Sequence, residues 1–460
     1  MIVQRTGRIS GSFVVCALVS MGLAAPARAT TGPLAFVIPS SVPHTSLANC
    51  ASAPDATTAF KNWLLGSNGP IAQLQAQSPR VQGNEIKLGF QQCYRVEGTI
   101  SISGIYGTTF YGNGSTIRTL RDASQPSSPH ILLQGDARVT VQGLTIWGSG
   151  GSYDPDLSFQ AAFKIYGGNN ITLQKNSADF VNGDYVWIQG NRDNVPGTIT
   201  VKNNNFGLKG VGTFGAGRQQ IAIDDVRNLT VTGNYFGHGS RSAIDIEPPG
   251  VTNVNYTHYV DTVTITNNQF GPTKNFWFAN KGANAPITNV TITDNTTAEG
   301  QALNVWSENP GPDANRTNYD IERNSTGGQT TVCAGSGLTA TLPPVPPSAA
   351  MMFVGVRAQL NPDGTTTKLL KGPGVNGLKV WNNAQDMGGA ARCQHFVYTH
   401  GSSNVSIQSN YLPNGTKVGV FDLQSPRVCE GGNYYVVTSP QLFAPDEPNA
   451  NAILCPNFSG

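Results

Sequence analysis

The sequence predicts an all-β chain folded as a right-handed parallel β-helix, a solenoid with a short N-terminal capping helix. One strand phrase recurs and carries this reading. The segments ITLQKNS, ITVKNNNFG, LTVTGNYFG, VTITNNQFG, VTITDNTT and YDIERNST bring Asn176, Asn204, Asn234, Asn268, Asn295 and Asn324 to one position. By subtraction those residues stand 28, 30, 34, 27 and 29 apart. Such a repeat marks stacked units, none of which can bury its apolar face alone. Composition agrees: 53 Gly, 29 Pro and 12% charged residues suit short strands joined by turns.

The N-terminus reads as a signal peptide over residues 1–29. Arg5 and Arg8 precede an apolar run from Phe13 to Ala25, and Ala27-Arg28-Ala29 offers small residues for cleavage. The run is too short for a membrane span. Residues 30–460 then form one β-helix domain: cap and first coils over 30–110, regular coils over 111–324, irregular coils and loops over 325–460. In DATTAFKNWLL, Asp55 or Thr57 is the expected N-cap, with Phe60, Trp63 and Leu64 on one face. A helix there covers the open end of the stack and its edge strands. Of the seven cysteines, Cys16 lies in the signal. The remaining Cys50, Cys93, Cys333, Cys393, Cys429 and Cys455 are even in number, as disulfides require. The reading pairs Cys50 with Cys93 and the other four among themselves.

Within the coils, VTVQGLTIWG (Val139 to Gly148) is an early rung and VSIQSNYL, around Asn410, a late one. Asn suits the recurring position because its side chain bonds nearby backbone and tolerates the left-handed conformation of a sharp turn. Stacked coil on coil, the amides can bond one another, while Phe206, Phe236 and Phe270 stack inside. The Pro-rich stretch TATLPPVPPSAA (Thr339 to Ala350) reads as a loop.

A second strand family precedes the Asn-bearing one: FKIYGG from Phe163, VWIQGN from Val186, IAIDDV from Ile221, IDIEPP from Ile244, FWFANK from Phe276 and LNVWSE from Leu303. LKVWNN from Leu378 is taken as its seventh member. Apolar residues at the first and third positions face inward, so the second and fourth face out. That puts Lys164, Tyr166, Trp187, Gln189, Asp224, Asp245, Glu247, Trp277 and Trp306 on one outer face, with Arg218 and Arg241 further back. Aromatic rings beside acids and arginines suit a long, hydroxyl-rich ligand. Coils lie ~4.8 Å apart and alternate residues ~6.7 Å apart. Asp224 and Glu247 carboxyls are thus expected roughly 5 Å apart, and Asp224 and Asp245 roughly 8 Å apart, spacings typical of retaining and inverting glycosidases respectively. Like charges this close raise one pKa, leaving one donor and one acceptor of protons.

The TTAF helix, CYRVEGTISISG and TTFYGNGSTI resemble the N-terminal cap and first coils of secreted proteins of the pectate-lyase-like superfamily. RQQIAI and AIDIEP resemble phrases of bacterial parallel β-helix repeat proteins. The resemblance covers the mature chain to about Asn324 and implies the fold. It does not select a chemistry, since the superfamily includes lyases, polygalacturonases, other glycosidases, uronate epimerases and phage tailspikes. Polygalacturonases carry an Asp pair before a strand, His-Gly one coil later, then Arg-Ile-Lys. Here Asp224-Asp225 follow the strand, His238-Gly239 come one coil later, and Arg-Ile-Lys is absent, so those roles are not carried over.

The expectation is a secreted or periplasmic bacterial enzyme acting on polysaccharide, foremost a glycoside hydrolase. Asp224 and Glu247 form its catalytic pair, with Asp245 the alternative partner and His238 a candidate for proton transfer. Trp187, Tyr166, Trp277 and Trp306 bind sugar rings, and Arg218, Arg241 and Lys164 bind polar groups. No metal or cofactor is required, although the acids and turn carbonyls also suit Ca²⁺. A polysaccharide lyase and a non-catalytic glycan-binding or adhesin-like protein are the rival readings. A net charge of +2 without basic runs points away from nucleic acid and, after signal removal, from membrane surfaces.

Overall fold

A computed structural model describes residues 32–120, 129–148, 160–190, 194–207, 217–237, 241–248, 258–271, 276–280, 286–297, 302–307, 316–326, 350–356, 359–360, 366–368, 375–386, 395–400, 402–414, 418–423, 428–431, 434–435 and 453–454. The signal segment, Cys333, Cys393, Cys455 and His238 lie outside them, and the side chains of Trp277, Trp306 and Cys429 are likewise not described.

The chain winds into a parallel β-helix whose coil strands pair in parallel with their counterparts one coil on, while Thr45–Ser46 and Gln359–Leu360 make antiparallel pairs beside it. Asn169–Gln174 pairs Thr198–Lys202, which pairs Asn228–Thr232, then Val260–Thr266, then Ile287–Thr293. Identical alternation in every coil keeps apolar side chains over apolar ones. Val141, Leu173, Val201, Val231, Ile265, Ile292, Ile321, Val380 and Ile407 form one such inner column, and all are buried. No single coil could exclude water from these side chains, so the coils are stable only as a stack. Phe206 and Phe236 have ring centroids 5.8 Å apart, and Phe236 and Phe270 stack at 4.8 Å.

The recurring Asn builds a ladder through the stack. Each Nδ2 from Asn176 through Asn383 donates both to the next Asn Oδ1 and to a carbonyl of the preceding coil, as Asn234 does to Asn268 at 3.0 Å and Val201 O at 2.9 Å. Asn410 ends the series, bonded to Val380 O. The left-handed residue of each turn is not this Asn but the one before it: Lys175, Asn203, Asn267, Asp294, Arg323, Asn382 and Ser409 all have φ between 51° and 56°. A ladder Asn must aim its amide along the helix axis, so the preceding residue takes the strain of the corner.

Two further findings depart from the sequence reading. Val375–Trp381, which contains Leu378, pairs with Arg316–Glu322 and Ser403–Gln408, so it belongs to the Asn-bearing sheet. Alternation is the same in both strand families, and Asn383 in the ladder is what assigns this one. The cap also holds two helices, Thr57–Leu65 and Pro70–Ala76, the second begun by a proline whose missing N–H costs nothing at a helix start. Asp55 Oδ1 accepts the Thr57 amide at 2.9 Å, and Phe60 and Leu64 are buried. Cys50 and Cys93 form a disulfide.

The outer face of the Asn-bearing sheet is dominated by Thr in its middle coils. Thr109, Thr140, Thr172, Thr200, Thr230, Thr264 and Thr291 stack in register as an uncharged column. The same column is charged at its ends, with Glu85 before Thr109 and Asp320 and Lys379 after Thr291.

Candidate functional site

The second sheet runs coil by coil through Ile131–Gln134, Ala161–Tyr166, Asp184–Gln189, Ile221–Ile223, Ile244–Ile246 and Phe276–Asn280. Its register places Leu132, Lys164, Trp187, Ala222, Asp245 and Ala279 in one outer row. Gln134, Tyr166 and Gln189 begin the second row. Asp224 and Glu247 continue it one residue past their strands, their amides bonded to Ile188 O at 2.8 Å and Ile223 O at 3.0 Å.

Asp224 is buried among donors. Its Oδ2 accepts the Trp187 indole N–H at 2.8 Å and Gln189 Nε2 at 3.1 Å. Burial pushes this carboxyl up to about 7. The charges of Asp225 and Asp184 add to the rise, while the Trp187 hydrogen bond and Arg218 oppose it. With Oδ2 holding two N–H donors, Oδ1 is the oxygen left to take a proton. Glu247, one coil away, is exposed. A single row therefore holds a buried carboxyl with raised proton affinity beside an exposed one.

A cation stands over the ring of Trp187. Lys164 Nζ lies 3.5 Å from its ring centroid and 5.9 Å from that of Tyr166. Burial brings Lys164 down to about 8, with the Asp224 and Asp184 charges opposing the fall. Tyr166 and Arg241 are both half-buried.

Asp245 stands in the outer row yet is fully buried, with Gln219 Nε2 donating to its Oδ2. It is covered where Glu247 is open, which favours Glu247 as the partner of Asp224. Asp225 is a turn residue: its carboxylate accepts the amides of Gly190 at 3.2 Å and Tyr259 at 3.1 Å, and His258 Nδ1 lies 3.0 Å away. It ties three coils together.

Sequence reasoning missed Asp184. Arg218 grips it with Nε at 3.0 Å from Oδ1 and Nη2 at 2.8 Å from Oδ2, and the Gln219 amide donates to Oδ1 at 3.0 Å. Burial raises Asp184, with the Arg218 contact opposing that rise, and the Asp184 carboxylate raises Arg218 against the effect of its own burial. Strict alternation had placed Asp184 inward. The ladder breaks there: Tyr185 and Val186, then Gln220 and Ile221, use consecutive amides toward the next coil, where regular pairing would use alternate ones. The irregularity turns Tyr185 toward Phe206, ring centroids 6.0 Å apart, and frees Asp184 to meet Arg218. One signal was available. Asp184 and Arg218 are 34 residues apart and Asp225 and His258 are 33, each about one coil.

Among the described residues no group of three or more His, Cys, Asp and Glu is arranged to hold a metal, and no helix is long and apolar enough to cross a membrane.

Fold and site together define a parallel β-helix protein with a buried acid and an exposed acid side by side on one sheet. No protein-family model and no curated protein matches the chain. Among solved structures it is similar to an endo-xylogalacturonan hydrolase from Aspergillus tubingensis, at 10% identity and TM-score 0.49, over 88% of this chain and 99% of that one. It is also similar to the surface adhesin PfbA of Streptococcus pneumoniae, at 10% identity and TM-score 0.48, over 81% and 88%. A third is the catalytic unit of a GH87 alpha-1,3-glucanase from Streptomyces thermodiastaticus, at 13% identity and TM-score 0.47, over 91% and 68%. Hydrolases and an adhesin stand side by side in this set, and the choice of chemistry rests on the site.

Proposed function

We propose that the protein is a polysaccharide-active glycoside hydrolase with Asp224 as general acid and Glu247 as its partner. The observation that carries this is the contrast within one row: Asp224 buried and pushed up to about 7, Glu247 exposed in the adjacent coil. Asp224 gives its proton to the glycosidic oxygen as the bond to the anomeric carbon breaks. Glu247, ionised, either takes a proton from the attacking water or attacks that carbon itself. Lys164, Tyr166 and Arg241 border the row and supply contacts for hydroxyl or carboxylate groups of the glycan. The mechanism requires no cofactor.

The test is release of reducing ends from a panel of neutral and uronate-containing polysaccharides by the wild type, Asp224→Asn and Glu247→Gln. Each variant should fold and lose activity by on the order of 10²-fold or more. Full activity in both would sink the proposal.

Lys164 favours a second reading, a polysaccharide lyase. An amine brought down to about 8 is a competent base for the proton beside a uronate carboxylate, with Arg241 or Ca²⁺ to stabilise the enolate. Ultraviolet absorbance from unsaturated uronate, rising with the reducing ends, would identify it.

A further inference from the structure

We propose that the buried Asp184–Arg218 ion pair is a positioning unit that sets the pH window of the Asp224–Glu247 pair, acting through those acids and not on the substrate. The inference rests on the hydrolase reading for its activity assay, and for its physical claim on the geometry of the pair together with its charge interactions with the neighbouring acids.

Arg218 is committed. Both arms of its fork are on Asp184, whose Oδ1 also holds the Gln219 amide, so the guanidinium is fixed in direction. A guanidinium used this way is poorly placed to grip a ligand carboxylate bidentately. Its charge nevertheless reaches the acids of the two following positions: Arg218 interacts electrostatically with Glu247 and Asp245, and also with Asp224. Asp184 in turn interacts with Glu247 and Asp224.

The charged and polar groups around Asp224 come from four coils. Lys164 stands two coils before it, Asp184, Trp187 and Gln189 one coil before, Arg218 and Asp225 on its own coil, and Asp245 and Glu247 one coil after. Within this set Asp184 raises the proton affinity of both working acids and Arg218 lowers it. Because the two are locked together and buried, neither can swing away when a substrate arrives.

The sign follows. Activity needs Glu247 ionised and Asp224 protonated, so the rate rises with pH through the Glu247 titration and falls through that of Asp224. In Asp184→Asn a negative charge is removed and Arg218 remains, and both limbs of the profile should move to lower pH. A move of about one pH unit is expected for a unit charge lost beside a buried carboxyl. In Asp184→Asn/Arg218→Gln both charges are gone, and the limbs should return close to their wild-type positions. Arg218→Lys keeps the charge and loses the fork; its window should stay in place while kcat falls and KM holds.

The experiment measures kcat and KM against pH for the full-length mature chain and these three variants, with thermal melts to confirm folding. Carboxyl carbon-13 NMR titration, with Asp224 and Glu247 assigned from Asp224→Asn and Glu247→Gln, reads the same shifts without any substrate. If no polysaccharide is cleaved, the hydrolase reading fails while the titration still decides the role of the pair. Opposing movements that cancel in the double variant are the expected result. An unmoved window with lower amplitude in Asp184→Asn would overturn the inference in favour of a scaffold role. A raised KM at constant kcat in Arg218→Lys would overturn it in favour of direct substrate contact. Should Asp184→Asn fail to fold, the titration of Arg218→Lys alone remains decisive, since movement of either carboxyl there contradicts the proposal.

Discussion

The Trp187 indole N–H donates to Asp224 Oδ2 at 2.8 Å, so the residue with the broadest exposed-looking ring in the row is a support for the acid. Its ring face carries Lys164. The donor favours the ionised carboxylate and so opposes the rise that burial imposes on Asp224.

Trp187→Phe keeps a ring for Lys164 and removes the donor. Asp224 should then hold its proton to higher pH, moving the alkaline limb of the activity profile upward. Looser placement of the acid should lower kcat by on the order of tenfold. A pH–rate profile of the folded variant checks both. A rise in KM without movement of the alkaline limb would return Trp187 to the role of a sugar platform.

Asp136 carries a second prediction, about stability. It sits between Ile131–Gln134 and Ala137–Trp147, buried, with Oδ1 accepting the Ile105 amide at 2.9 Å and Oδ2 without a hydrogen-bond partner among the described residues. Burial pushes it up to about 7, against the lowering effect of the Ile105 and Gln134 amides. The folded state therefore binds this proton more tightly than the unfolded chain. Its stabilising contribution is full below about pH 4 and is lost as pH rises through about 7. Asp136→Asn mimics the protonated form, so its melting temperature should exceed that of the wild type at pH 8 and converge with it at pH 4. The matching difference in stability at pH 8 should be on the order of 4 kcal/mol. Equal melting temperatures at pH 8 would show that the carboxylate is accommodated there.

The fold was legible because a stack repeats its evidence. Asn204, Asn234 and Asn268 each carry the same turn signal, and the alternation of Ile199, Val201, Leu229 and Val231 gives the inner face directly. The site was legible only in part. Alternation orients a residue inside a regular strand, as with Lys164 and Trp187, but says nothing of what covers it, so buried Asp245 and exposed Glu247 looked alike. It also fails where pairing is irregular, which is how Asp184 escaped notice. Leu378 was assigned to the wrong sheet because the two sheets share one inner-face pattern. Side-chain contacts between coils, such as Lys164 on Trp187, depend on rotamers that no one-dimensional pattern carries.

The Cys50–Cys93 disulfide closes a loop of 43 residues that contains both cap helices. Chain-entropy reasoning assigns a loop of that length about 4 kcal/mol. Cys50→Ser/Cys93→Ser should therefore unfold at lower denaturant concentration, with loss of the helical signal preceding loss of the coils. Coincident loss of both would mean that cap and coils unfold as one unit, and an unchanged midpoint would mean that the cap is held by its apolar face alone.

Asn234 sits mid-ladder and makes the sharpest demand on its amide. Its Oδ1 accepts the Asn204 amide and Asn204 Nδ2, both at 2.9 Å, while its Nδ2 donates to Val201 O at 2.9 Å and Asn268 Oδ1 at 3.0 Å. In Asn234→Asp the oxygen side is preserved and the donor side becomes an acceptor facing two acceptors. As a carboxylate it is also a buried charge without a counter-ion in the ladder, and the cost should be at least about 3 kcal/mol. Protonation restores one donor, so the folded-state pKa of this Asp is raised and its penalty should shrink as pH falls toward 4. Asn234→Ala loses the same bonds without adding charge, and its penalty should not vary over that range. Denaturant melts of both variants at pH 4 and pH 7 separate the cases. If Asn234→Asp is no worse than Asn234→Ala at pH 7, the polarity of the ladder is not what holds successive coils in register, and the inner column of aliphatic side chains is sufficient by itself.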